Sequence, residues 1–140
     1  MERTAVIRPE ATAIVVDGCE HTYAELMRAA RNLAYSLQER GLRRGERVAI
    51  YMYNSWVGVV SIYGTLLAGG VLLVVNPQTP KAKLDFLLGD SGASFLLADA
   101  RLLHGDRNEF ERRGDVTVLV TSAESGDQPG QHDPLEPLLY

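Results

Sequence analysis

An α/β layer built on a mostly parallel sheet, a Rossmann-like series of βαβ units preceded by a short β-hairpin, is the fold class this sequence predicts. Two observations predict it. Short apolar runs at Arg47–Met52, Val71–Val75, Ser94–Ala98 and Val116–Val120 alternate with segments of helical period. Those runs are also apolar at successive positions, as strands covered on both faces are. At 140 residues the chain is one domain or a large part of one, long enough to bury a sizeable core.

The hairpin comes first. Ala13–Val16 and Cys19–Thr22 flank Asp17–Gly18, a dipeptide that tolerates the left-handed geometry of a two-residue turn. Thr22 and Glu25 then form a capping box. Behind it Tyr23, Leu26, Met27, Ala30, Leu33, Ala34 and Leu37 share one helical face, and Gly41 ends the helix. Arg47–Met52 is the next strand. Asn54 and Ser55 offer N-cap oxygens to a helix opening at Trp56, and Gly69–Gly70 supply left-handed residues to end it before Val71–Val75. Thr79 and Pro80 suit the N-cap and first position of a helix over Lys81–Leu88. Asp90–Ser91–Gly92 is a turn, Ser94–Ala98 a buried strand, Arg101–Arg112 a weaker helix ended by Gly114, and Val116–Val120 the last strand. After Val120 a run rich in proline, glycine and small polar residues is a loop or linker.

Composition excludes several classes of function. The net charge is −4 and the basic residues are dispersed, which does not suit the concentrated phosphate neutralisation of nucleic-acid binding. The densest basic spot, Arg40, Arg43, Arg44 and Arg47, is interrupted by Glu46 and reads as a solvated helix end and turn. One cysteine cannot form an internal disulfide, and the N-terminus lacks a secretory pattern, so a cytoplasmic protein is expected. Tyr51–Pro80 carries no charge, and Trp56–Val75 has the length of a membrane span. The capping chemistry at Asn54–Ser55 and the two glycines divide it instead into a helix and a strand, so membrane insertion is not expected.

No constellation of residues declares a reaction. There is no G-x-G-x-x-G. Gly64, Gly69 and Gly70 have P-loop spacing without the lysine and hydroxyl, and they precede a strand instead of following one. His21, His104 and His132 are too dispersed for a metal site. His21 is expected at the surface, and Cys19 as a packed or surface thiol. Asp85 and Asp90 do not make a carboxylate pair if Asp90 lies in a turn. Asp99, at the C-terminal end of a parallel strand, occupies the place where α/β sheets bind ligands. With no partner group in view, helix capping is its expected role.

Two ordered phrases nevertheless resemble a known family. The first runs Thr22-Tyr23-Ala24-Glu25-Leu26, Ala30, Leu33-Ala34, Leu37, Gly41, then Gly45-Glu46-Arg47-Val48-Ala49-Ile50. The second runs Asn54-Ser55, Leu67-Ala68-Gly69-Gly70-Val71, Asn76-Pro77, Leu84, then Asp90-Ser91-Gly92-Ala93. Each fragment is generic, whereas their joint order resembles the opening of the adenylate-forming (AMP-binding) ligases: acyl-CoA synthetases, acyl-AMP ligases and peptide-synthetase adenylation domains. The resemblance implies that residues 1–120 are the N-terminal α/β subdomain of such a ligase and 121–140 a linker or tail. It implies a two-step reaction, from carboxylate and ATP to acyl-AMP, then acyl transfer to the thiol of CoA or a carrier-protein phosphopantetheine, with Mg²⁺ on the phosphates.

The family's phosphate loop, aromatic–Gly–x–Thr–Glu motif, ribose-binding Asp and C-terminal lysine have no counterpart here. The sequence is therefore expected to be truncated before the phosphate-binding loop. No catalytic, cofactor-binding or metal residue carries over. The isolated segment is expected to be inactive and to bind neither ATP nor Mg²⁺ alone. Its expected partner is the remainder of the ligase or a complementing chain, with a homodimer through an exposed sheet edge or apolar face also open. The alternative is a stand-alone or split non-catalytic binding or scaffold module.

Overall fold

The structure, a computed structural model, describes residues 1–103 and 114–121. Its elements are α1 (Glu2–Ile7), β1 (Thr12–Val16), β2 (Cys19–Thr22), α2 (Tyr23–Glu39), β3 (Arg47–Tyr51), α3 (Trp56–Leu67), β4 (Val71–Val75), α4 (Lys81–Ser91), β5 (Phe95–Ala98), α5 (Ala100–Leu103) and β6 (Thr117–Val120). β1 and β2 pair antiparallel as a separate hairpin, and the other four strands form one sheet in the order β4-β3-β5-β6. Every pairing in that sheet is parallel.

The pleat divides the core in two. Val48 and Ile50 of β3, Phe95 and Leu97 of β5 and Leu119 of β6 face α2 and α3. Ala49, Tyr51, Leu96, Ala98, Val118 and Val120 face α4 and α5. Successive residues of each strand thus bury on opposite sides, which is why the strands are apolar throughout.

Local chemistry sets the boundaries. Asp17 and Gly18 have φ of 51° and 79°, the left-handed pair of a tight hairpin turn. Thr22 Oγ1 accepts from Glu25 N at 3.2 Å, and Thr22 N donates to Glu25 Oε2 at 2.8 Å. Those hydrogen bonds hold the Glu25 carboxyl below its ordinary range. Ser55 caps α3 by accepting from Gly58 N at 3.1 Å. The basic spot is the expected helix end: Arg40 is the C-cap of α2, and Arg43, Arg44 and Arg47 are exposed.

Several expectations need correction. α1 has no buried residue, hence no apolar period to announce it; it lies against α2, with Glu2 and Arg31 3.7 Å apart. The N-cap of α4 is Pro80, not Thr79, and α4 runs to Ser91, so Asp90 and Ser91 are helical; only Gly92, at φ 63°, turns left-handed. Gly69 is left-handed at φ 84°, but Gly70 is not. A Cβ at Gly70 would meet Thr65 Cγ2 at 2.9 Å, so close packing requires that glycine. β3 stops at Tyr51 and β6 begins at Thr117. Of the helix expected over Arg101–Arg112, Leu103 is the last described residue, and the linker or tail expected over 121–140 lies, beyond Thr121, outside the described residues. No described helix is long and apolar enough to cross a membrane.

The α2–α3 contact is as tight as the backbone permits. A Cβ at Gly64 would stand 2.9 Å from Leu33 Cδ2 and 3.0 Å from Leu33 Cβ and Cγ, and Leu33 is fully buried. Gly64→Val should therefore cost about 1–3 kcal/mol through overpacking. In urea titrations its midpoint should fall with an unchanged slope. Gly64→Ala should lose less, since alanine's helix propensity returns about 1 kcal/mol. A Gly64→Val variant as stable as the parent would refute the tight contact.

Candidate functional site

From β3 the chain steps to β4 on one side and then returns past β3 to β5 and β6 on the other. The direction of winding therefore reverses between β3 and β5. A crevice opens outside the carboxyl ends of strands at such a point, where open α/β sheets place ligands. Here its floor is Tyr51 and Ala98, joined where Asp99 N donates to Tyr51 O at 2.9 Å.

Three segments build the walls. Tyr51 reaches under the loop after β4, its hydroxyl within 2.9 Å of Thr79 O and 3.3 Å of Pro77 O. Burial pushes this phenol's pKa up, helped by nearby Tyr53. The same loop turns on Asn76, whose Oδ1 accepts from Gln78 N at 2.8 Å. After β5, Asp99 is 5% exposed, and its carboxylate caps α5 by accepting from Arg101 N at 2.9 Å. The Arg101 guanidinium forks onto the same carboxylate, Nη2 at 2.7 Å from Oδ2 and Nε at 3.0 Å from Oδ1. It also lies over the Tyr53 ring, 5.3 Å from its centroid. Thr121 Oγ1 accepts from Ala100 N at 3.1 Å, tying β6 to the same corner. Between the walls is a cleft of about 290 Å³ lined by Tyr51, Tyr53, Pro77–Lys81, Leu84, Leu102 and Leu103.

Burial raises the Asp99 carboxyl, but the side-chain hydrogen bond, backbone hydrogen bond and charge of Arg101 outweigh it and leave the pKa lowered. Asp99 and Arg101 thus neutralise each other at the rim. The cleft offers aromatic and aliphatic surface with phenol, lysine and backbone groups at its edges, a wall suited to holding a ligand.

Of the histidines, cysteine and aspartates weighed for chemistry in the sequence, Asp99 comes nearest, at the corner beside the cleft and not among the residues that line it. It caps a helix as expected, and it has in Arg101 the partner that sequence reasoning missed. A basic residue two positions after a strand-end aspartate was the available signal. Asp85 and Asp90 share α4 but lie five residues, roughly 140°, apart around its axis. Cys19 is exposed at the start of β2. His21 is not a plain surface residue: it is half-buried and stacks on Trp56, ring centroids 3.9 Å apart and planes within 13°. His104 and His132 lie outside the described residues. Among the described residues no three His, Cys, Asp or Glu side chains converge to hold a metal ion.

A sequence profile of the family described as AMP-binding enzyme matches residues 1–137. Bacitracin synthase 1 of Bacillus licheniformis is 37% identical over 125 residues, which cover 89% of this chain and 2% of that protein. A benzoate CoA ligase from Burkholderia xenovorans LB400 superposes with a TM-score of 0.82 at 26% identity, over 98% of this chain and 26% of that one. A coronafacic acid ligase from Pectobacterium brasiliense gives a TM-score of 0.87 at 16% identity over 99% of this chain and 28% of that one, a likeness of fold alone. The chain thus spans about 2% of the length of the curated relatives and roughly a quarter of these solved ligases.

The Asp99–Arg101 pair predicts a pH signature. A carboxyl lowered on folding stabilises the protein above the unfolded carboxylate range, and that stability is lost as pH falls through the folded value. Arg101→Gln removes the guanidinium and leaves burial to raise the carboxyl. Stability at pH 7 should fall by about 1 kcal/mol, a modest figure because the guanidinium itself is largely solvated. Urea midpoints should show a smaller deficit at pH 4 than at pH 7. An equal deficit at both would separate Asp99 from Arg101.

Proposed function

The chain belongs to the AMP-binding enzyme family, and we propose that it is the N-terminal part of an ATP-dependent acyl-activating ligase. In the proposed reaction a substrate carboxylate oxygen attacks the α-phosphorus of ATP, forming the acyl–adenylate bond and releasing pyrophosphate. An acceptor thiolate then attacks the acyl carbon, and AMP leaves. The observation that carries this reading is the family match over residues 1–137 of a chain whose parallel sheet superposes on solved members.

Identity favours one branch of the family. The sequence is 37% identical to a peptide synthetase and 26% identical to a CoA ligase, which supports a carrier-protein phosphopantetheine over free CoA as acceptor. Within that ligase these residues act as scaffold. They hold the sheet and one wall of the switch-point crevice, while the phosphate loop and acyl pocket come from a remainder that packs against them. Magnesium, when bound, would neutralise the ATP phosphates.

The polypeptide carrying this sequence together with its following domains should catalyse carboxylate-dependent ATP–pyrophosphate exchange. A panel of amino acids, aryl acids and alkyl acids identifies the substrate, with an amino acid expected to give the highest rate. No exchange above background with any of them would overturn the proposal, and preference for an alkyl or aryl acid would move it to the CoA-ligase branch. Residues 1–140 alone should give no ATP-binding heat by calorimetry.

A further inference from the structure

The β1–β2 hairpin shares no ladder with the parallel sheet. A two-stranded hairpin is marginal in water by itself, so docking must hold it. None of its strand residues is fully buried. Its base is secured by the Thr22–Glu25 capping box and by Tyr23 N to Ala11 O at 3.0 Å and Ala24 N to Pro9 O at 2.9 Å. Among the described residues its aromatic hold on the rest of the domain is the flat stack of His21 on Trp56, the first residue of α3. Between hairpin and domain lies an apolar cleft of about 430 Å³, with Ile14 and Val16 on the hairpin side and Met52, Val59 and Ile62 opposite.

We propose that the hairpin is a flap over this cleft, latched by the His21–Trp56 stack and able to open while the parallel sheet stays folded. Local opening is cheapest where few apolar groups are buried and the backbone ladder is not continuous with the core. The hairpin meets both conditions. β3 and β5 meet neither, since both are buried on two faces and paired on both edges. Opening swings about the base, where the backbone bonds at Tyr23 and Ala24 persist, and uncovers the apolar wall of α3.

Hydrogen–deuterium exchange on the 140-residue chain tests this directly. Amides of β1 and β2 should exchange faster than those of β3 and β5 in the parent. In His21→Ala they should speed up a further three- to tenfold, roughly the factor for losing one aromatic stack, with β3 and β5 unchanged. Emission of Trp56, the chain's only tryptophan, should shift to the red as its face meets water. His21→Phe keeps a stacking ring and should exchange like the parent. The proposal fails if hairpin and sheet amides exchange together in the parent, if His21→Ala moves both sets equally, or if His21→Phe loosens the hairpin as much as His21→Ala.

Discussion

Burial of β3 on both faces and along both edges is the constraint on which the rest of the molecule depends. Val48 and Ile50 point to the α2–α3 layer, Ala49 and Tyr51 to the α4–α5 layer, and all four are buried. At its enclosed positions, Val48 to Ile50, the strand is wholly apolar, and a one-residue slip would exchange the two cores. It also fixes the topology. With β4 on one side and β5 on the other, the winding reverses across β3, and the crevice at its carboxyl end follows from that reversal.

The two helical layers meet this strand in different ways. α2 and α3 approach closely because Gly64 leaves room for Leu33, and Gly70 lets the chain re-enter the sheet against Thr65 and Val48. On the other face the contacts are made by Leu84, Leu88 and Leu103, with Tyr51 extending past the strand end to hold the Asn76–Pro80 turn. The crevice wall is therefore an extension of the core. Tyr51 is packed as a core residue, and only its hydroxyl takes part in shaping the loop.

Charge is used sparingly near that crevice. Asp99 is a buried carboxylate made tolerable by a fork from the Arg101 guanidinium and by the Arg101 backbone amide. The same carboxylate that starts α5 thereby orients a cation across Tyr53. Capping and rim chemistry are one device at this corner.

The sequence by itself determined what depends on neighbours along the chain. The Asp17–Gly18 turn, the Thr22–Glu25 box and the Ser55 cap rest on contacts a few residues apart, while the apolar face of α2 and the apolar strands leave a periodic pattern along the chain, and each was legible for that reason. The ordered phrases also identified the family. Only the tertiary structure decided what joins distant residues: the order β4-β3-β5-β6, the stack of His21 on Trp56, the reach of Tyr51 to the Asn76–Pro80 turn, and the close packing at Gly64 and Gly70. Arg101 falls between these cases, since it is two residues from Asp99, yet its role needs a carboxylate that the fold has already buried. Physical reach explains the division: capping and periodicity are short-range and leave a pattern in the sequence, whereas a contact across thirty residues leaves none until the chain has folded around it.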